Sequence, residues 1–482
     1  MDDLIGLVKS LNKREKDLVR LIYSRNVNKE EKLKLKLFNL LAAKKVMKID
    51  EIIISLEYKG SSSAFSHLKR RLKKDILNII LFQETGKKFR AKIFSESIEI
   101  KKTMVFAELL YRRGLSDLAD NIINEGIKVS NKFEFLAERY ILTDLQRMRQ
   151  GITKGPKVIT SFNEKINFYI DTIQSNSNSV GLFYDFTVRN INKSNTDIVL
   201  LDQEKNYLKK LKDNYSNFPI AKNGYWYHRA AIFYYNSIIN YEEALVHGKL
   251  LLKLIIESPS LYSPVVYAGT LKEIAEISIS GGQYKEAKEY LNDALNIFNP
   301  ELNNYLLTLE SYFIATFHLN EIETARTTLA KAERHPNFKS RKLIKARWEY
   351  FEACILFKEN KFKESYSKLS KISSVLVSDK GELQIGYRLL LVYLLYHNSK
   401  FDLFEYEIQS LEKSIKKIKG IKLSRIKIII SHLKKLIKMN FIIDKNNFNL
   451  KLLIHELEKD KNNKWSPLGV EIINFEYFID NI

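Results

Sequence analysis

In the stretch that follows Gly60, apolar residues fall at Phe65, Leu68, Leu72, Ile76, Ile79 and Ile80, steps of three and four that draw one stripe along an α-helix. Gly60 and the serines 61, 62 and 63 supply the turn and N-cap before it. Similar patterning predicts four helices upstream: Leu4 to Leu11, Arg14 to Tyr23, Lys32 to Lys45, and one beginning at Asp50, a suitable N-cap, that carries Ile52, Ile53, Ile54 and Leu56. Residues 1–90 are therefore expected to form an N-terminal helical module.

From about residue 97 the pattern becomes a repeat. Its clearest unit is Gly282-Gln-Tyr-Lys-Glu-Ala287, with Leu291 and Ala294 following and Pro300 closing it. Asn320 to Ala325 repeats it with Leu329, Ala332 and Pro336; Asn360 to Ser365 with Leu369 and Ile372; Ser399 to Phe404 with Ile408 and Leu411. Upstream copies are Ile239 to Ala244 and Gly114 to Ala119. The anchors 244, 287, 325, 365 and 404 lie 43, 38, 40 and 39 residues apart, and the 125 residues from 119 to 244 would hold two further, degenerate units. In physical terms, an aromatic residue or Ile just inside the second helix of a pair (Tyr241, Tyr284, Ile322, Phe362, Phe401) packs back onto the first helix. Three residues later a small side chain lets the two helices approach.

This arrangement resembles the tetratricopeptide repeat over about residues 97–440, although the period exceeds the 34 residues of that family. Phe404 replaces the small anchor of the last unit, and Gly248 stands where a larger apolar residue is expected. A HEAT-like array, similar in period, is the alternative. The resemblance implies an all-α fold: a right-handed superhelical solenoid of helix-turn-helix repeats over 91–440, with a concave groove. Residues 441–482, with Trp465, Leu468, Val470, Ile472, Ile473, Phe475 and Phe478, are expected to cap its last apolar face.

Composition supports helices. The chain has seven prolines in 482 residues, none before Pro156, and proline breaks helix interiors. Cys354 is the only cysteine, so neither an intrachain disulfide nor a cysteine-based zinc site can form. The N-terminus lacks the basic stretch and apolar core of a secretion signal, and no apolar run approaches the ~18 residues needed to span a bilayer. A cytoplasmic location is expected. The net charge of +22 invites a polyanion partner, but only about 19 of the 79 basic residues are arginine, and an Ile-, Asn- and Lys-rich composition is what an AT-rich genome imposes.

No catalytic, metal or cofactor motif emerges. Gly151-Ile-Thr-Lys-Gly155 has the wrong spacing for a phosphate loop, and His455-Glu456 lacks the second histidine of a zinc-protease pair. The function expected is a non-enzymatic scaffold or adaptor for another protein or a peptide. The resemblance implies that the first helix of each pair lines the groove. With Ala244 as anchor, Trp226, Arg229, Phe233 and Asn236 turn into it at steps of three and four; Lys272 and Glu276, Arg347 and Tyr350, and Tyr393 and His397 follow in later units. Trp, Arg and Phe on one stripe suit a peptide ligand. The competing expectation is that Trp226 and Phe233 pack between neighbouring pairs.

Two basic stretches support an alternative, a nucleic-acid-binding or peptide-responsive regulator. Lys69, Arg70, Arg71, Lys73 and Lys74 lie opposite the apolar stripe of the fifth helix, which follows a helix and a turn in the outline of a helix-turn-helix. Between 413 and 440 there are ten basic residues and no acid, among them Lys416, Lys417, Lys419, Lys422, Arg425 and Lys427.

Overall fold

The computed structural model describes residues 2–24, 28–43, 49–58, 60–82, 92–191, 198–378, 382–416, 423–441, 455–457, 459–460, 463–469 and 471–480, and no strand occurs among them. The chain divides into two compact units, Met1–Phe89 and Arg90–Ile482. The first contains α1 (Asp2–Ser10), α2 (Lys13–Ser24), α3 (Lys29–Ala42), α4 (Ile49–Ser55) and α5 (Ser62–Phe82). Ser61 caps α5 through Oγ, which accepts from the Ala64 N–H at 3.2 Å. Asp50, the expected cap of α4, falls one residue inside that helix. The stripe Phe65, Leu68, Leu72, Ile76 and Ile79 is buried against Leu4 and Val8 of α1, Val19 and Tyr23 of α2, and Leu37, Phe38 and Leu41 of α3.

The second unit is an α-solenoid in which successive helices pack on their chain neighbours. It comprises α6 (Lys92–Arg112), α7 (Ser116–Lys132), α8 (Leu136–Lys154), α9 (Pro156–Ile191), α10 (Ile198–Asn217), α11 (Ala221–Ser237), α12 (Tyr241–Glu257), α13 (Pro264–Ser280), α14 (Tyr284–Ile297) and α15 (Asn303–His318). Then follow α16 (Ile322–Glu333), α17 (Pro336–Ser340), α18 (Lys342–Lys358), α19 (Phe362–Ser378), α20 (Glu382–His397), α21 (Phe401–Ile415) and α22 (Ser424–Lys438). The pairs are α6/α7, α11/α12, α13/α14, α15/α16, α18/α19 and α20/α21. Each anchor lies in the second helix: Ala119, Ala244, Ala287, Ala325, Ser365 and Phe404 are all fully buried. The Ser365 hydroxyl donates to the Ala353 carbonyl of the facing helix at 2.7 Å, a measure of how closely the two approach. Phe404 keeps the register with a larger side chain, its ring 6.2 Å from Tyr396 and 5.3 Å from Phe441.

One turn joins the helices of these pairs. Gly114, Ile239, Gly282, Asn320, Asn360 and Ser399 have φ between 54° and 79°. The next N–H donates to the carbonyl five residues back, as in Gln283 to Ser278 (2.7 Å), Glu321 to Thr316 (2.9 Å) and Lys361 to Leu356 (2.9 Å). A left-handed residue with this bond is the usual way to satisfy the last carbonyls of a helix. A Cβ in this conformation costs about 1–2 kcal/mol. Gly282→Ala should therefore lower stability by about 1 kcal/mol, read from the urea midpoint. Gly281→Ala should be close to neutral, because that residue has φ −83° and its Cβ would meet nothing nearer than 3.5 Å.

One expectation is extended and one corrected. The aromatic residue at the start of the second helix reaches across to the following pair: Tyr284 stacks on His318 at 5.2 Å, and Phe362 on His397 at 4.0 Å while also meeting Phe357 of its own first helix at 5.3 Å. These rings join pairs as well as close them. The interval between anchors 119 and 244 does not contain two hidden pairs. It contains α8, the 36-residue α9, and α10, which packs on both α9 and α11. Gly248 marks close approach to the next pair, since a Cβ there would lie 3.0 Å from Ile274 Cγ1.

Between α11 and α12 two buried histidines meet, His228 Nδ1 lying 2.9 Å from His247 Nδ1. One ring nitrogen must donate and the other accept, which fits a neutral pair. Burial, helped by His247, pushes His228 down to about 4, and burial also lowers His247.

Candidate functional site

The first helices of consecutive pairs carry a line of charged side chains. Arg229 of α11 donates to Tyr225 Oη at 2.8 Å and lies 3.8 Å from Glu273 of α13. Lys272 pairs with Glu276 on α13, and Glu276 accepts from Ser311 Oγ of α15 at 2.8 Å. Glu310 of α15 lies 3.3 Å from Arg347 of α18. Burial pushes the Glu273 and Glu310 carboxyls up, and Arg229 and Arg347 oppose it. Partly exposed pairs of this kind contribute about 1 kcal/mol or less each. Their consequence is a patterned acidic and basic surface. Beside it a cavity of about 440 Å³ is lined by Leu306, Leu307, Ile314, Leu343 and Ile344, with Arg347 and Glu310 at its polar side.

The stretch expected to cap the array lies against these same first helices. Trp465 meets His318 of α15 edge-on at 5.0 Å, and Ile472 lines the same cavity as Tyr350 of α18. Phe478, in the short helix Phe475–Asp480, stacks on Tyr393 of α20 at 4.2 Å with the planes 12° apart. Arg425 of α22 holds the segment ionically. Its Nε donates to Glu471 at 2.6 Å, its two terminal nitrogens to Glu476 at 2.9 and 2.7 Å, and one of them to the Asn463 carbonyl at 3.2 Å. The Arg425 and Glu471 side chains are 8% and 3% exposed. Burial alone would lower the Arg425 guanidinium; the two carboxylates reverse that and raise it.

The sequence-derived groove residues divide accordingly. Arg229, Lys272, Glu276 and Arg347 belong to the charged line. Tyr350 and Tyr393 are buried under the C-terminal segment, and His397 stacks between Phe362 and the edge of Phe478. Trp226 is half-buried against Phe183 of α9 at 5.0 Å, and Phe233 lies 6.3 Å from that ring; Asn236 is half-buried. Sequence reasoning missed Glu273, Glu310 and Ser311. Arg229 and Lys272 stand fifteen positions before their anchors, and the same register applied to Ala325 gives Glu310.

The basic candidates are less free than their charge suggests. On α5, Arg71 donates to both oxygens of Glu30 at 2.6 and 2.7 Å, Lys73 lies 3.8 Å from Asp3, and Lys69 sits over the Phe65 ring at 5.4 Å. Arg70 and Lys74 are exposed, as are Lys416 and Lys427 in the second stretch. Lys417, Lys419 and Lys422, like Val470, lie outside the described residues. Arg425 corrects an expectation: with residues 471–480 in place its guanidinium is buried against two carboxylates and does not present a free cation to phosphate. Among the described residues no group of three or more His, Cys, Asp or Glu is placed to hold a metal ion, and no helix is long and apolar enough to cross a membrane.

No protein-family model and no curated protein matches the sequence. Among solved structures the chain is similar to a signal-transduction STAND ATPase with a tetratricopeptide repeat sensor from Pyrococcus horikoshii, at 13% identity and TM-score 0.44 over 89% of this chain. It spans 66% of that protein's length. It is also similar to the apo form of RapI (13%, TM-score 0.40, 74% of this chain and 94% of that one) and to aspartyl phosphate phosphatase F from Bacillus subtilis (13%, TM-score 0.37, 81% and 95%). At these values no site or activity carries over. The repeats themselves are tetratricopeptide-like: antiparallel helix pairs with a tightly buried anchor where the two touch, stacked so that the first helices share a face.

Proposed function

We propose that the chain is a non-enzymatic binding scaffold whose first-helix face, from α11 to α18, holds an extended segment of another protein. The observation that carries this reading is the partly buried line of paired charges Arg229, Glu273, Lys272, Glu276, Glu310 and Arg347 beside a cavity of about 440 Å³ with mixed apolar and polar walls. An extended peptide fits such a surface, with apolar side chains filling the cavity and charges meeting the line. For nucleic-acid binding through α5 and residues 413–440, Arg71, Lys73 and Arg425 face carboxylates while Arg70, Lys74, Lys416 and Lys427 stay exposed, and none of these cations lines that cavity.

The test is selection of peptides from a random library on the full chain, followed by titration against Leu307→Asp and Arg347→Glu. Both variants should lose at least about tenfold in affinity, equivalent to ~1.4 kcal/mol. Unchanged affinity with unchanged helicity would reject this face. Binding to mixed duplex DNA that weakens by orders of magnitude with salt would instead favour the polyanion reading.

A further inference from the structure

The inner face does not end at α18. It continues over α20 and α22, where the chain's own residues 463–469 and 471–480 cover it, and three features of that contact are unlike a permanent core. First, the carboxylates facing Arg425 are Glu471 and Glu476, both from the covering segment, so that without it a guanidinium would stand bare on the inner face. Burying such an ionic cluster adds little stability compared with apolar side chains of the same volume. Second, the cover is imperfect. Tyr393 Oη, His318 Nε2, His397 Nε2 and Asn463 Oδ1 are buried at or beside the contact and find no hydrogen-bond partner among the described residues. Groups buried in native interiors are nearly always paired. Third, Leu468, Gly469 and Ile472 form one wall of the cavity that holds Arg347, so the covered stretch and the open stretch adjoin. A ligand lying along the open stretch would run into the segment.

We propose that the face of α18, α20 and α22 is a binding surface for a partner segment carrying two carboxylates five positions apart among aromatic residues, and that residues 463–480 are its resident, exchangeable occupant. Arg425 reads the carboxylates, Tyr393 stacks on an aromatic ring as it does on Phe478, and a partner that also bonds Tyr393 Oη and the two histidines displaces the resident. The proposal rests on the first-helix face being the binding face, and its test uses the chain's own segment in place of selected peptides, so the two readings fail separately.

The experiment titrates a fluorescein-labelled peptide of residues 463–480 into the full-length wild type and into full-length Glu471→Gln/Glu476→Gln, with Phe478→Ala as a second releasing variant. Hydrogen exchange is followed over 471–480. The releasing variants should lose protection in 471–480 while α18 and α20 remain helical, and should bind the peptide at least tenfold more tightly than the wild type. Arg425→Gln added to either should abolish that binding. Retained protection of 471–480 in both variants, equal affinity for wild type and variants, or a released segment with no peptide binding would each overturn the proposal and make the segment a fixed cap.

Discussion

Phe313→Ala should cost the repeat array about 3–5 kcal/mol, the range for deleting a fully buried aromatic ring. Phe313 of α15 stacks on Phe351 of α18 at 4.7 Å with planes 4° apart, lies 6.2 Å from Trp348, and is fully buried. The cavity would open at the joint between two consecutive pairs, where an array whose units touch only their neighbours cannot borrow contacts from elsewhere. Phe313→Leu, which keeps most of the volume, should cost clearly less. Urea unfolding followed by helical circular dichroism, with hydrogen exchange in α15 and α18, measures both. A loss below about 1 kcal/mol for the alanine variant would mean that this joint is not a principal source of stability.

Acidification is the second large effect. Burial pushes His228 down to about 4 and His318 to about 3, both below the ordinary 6.5 of the unfolded chain. Well above pH 6.5 both states hold these rings neutral and the stability is fully present. As pH falls below 6.5 the unfolded chain takes up protons that the folded chain refuses, so stability falls at about 1.4 kcal/mol per unit for each ring. Between pH 6.5 and 5, above most carboxylate titration, the two together should remove about 3 kcal/mol. His228→Gln should remove about half of that slope. A urea midpoint that is flat over this window in the wild type would show that water reaches these rings.

The helices of the first unit and all six paired anchors were legible because their signals are local. A small residue where two helices touch, or a glycine, asparagine or serine two positions before the second helix, constrains the backbone wherever the pair sits. Between 119 and 244 the same arithmetic misled. A 36-residue helix contains no turn to mark, so an interval divisible by the repeat length concealed a different count of helices. The groove residues were half legible. Helical phase put Arg229, Lys272, Glu276 and Arg347 on the first helices at groove positions, where they form ion pairs, and did not single out Glu273 or Glu310, their partners on neighbouring helices.

What the sequence determined by itself is the set of helices, their pairing and the register of the anchors, because a period of three to four residues and a forced turn are properties of the nearby chain. What only the tertiary structure decided is which neighbour each outward side chain meets. Tyr284 and Phe362 reach forward to the next pair, and Arg425, one of ten basic residues in a stretch without acids, finds two carboxylates 46 and 51 residues downstream. The physical reason is that charge and burial are settled between segments far apart in sequence, and nothing in the pattern around Arg425 encodes the return of Glu471 and Glu476 across the first helices.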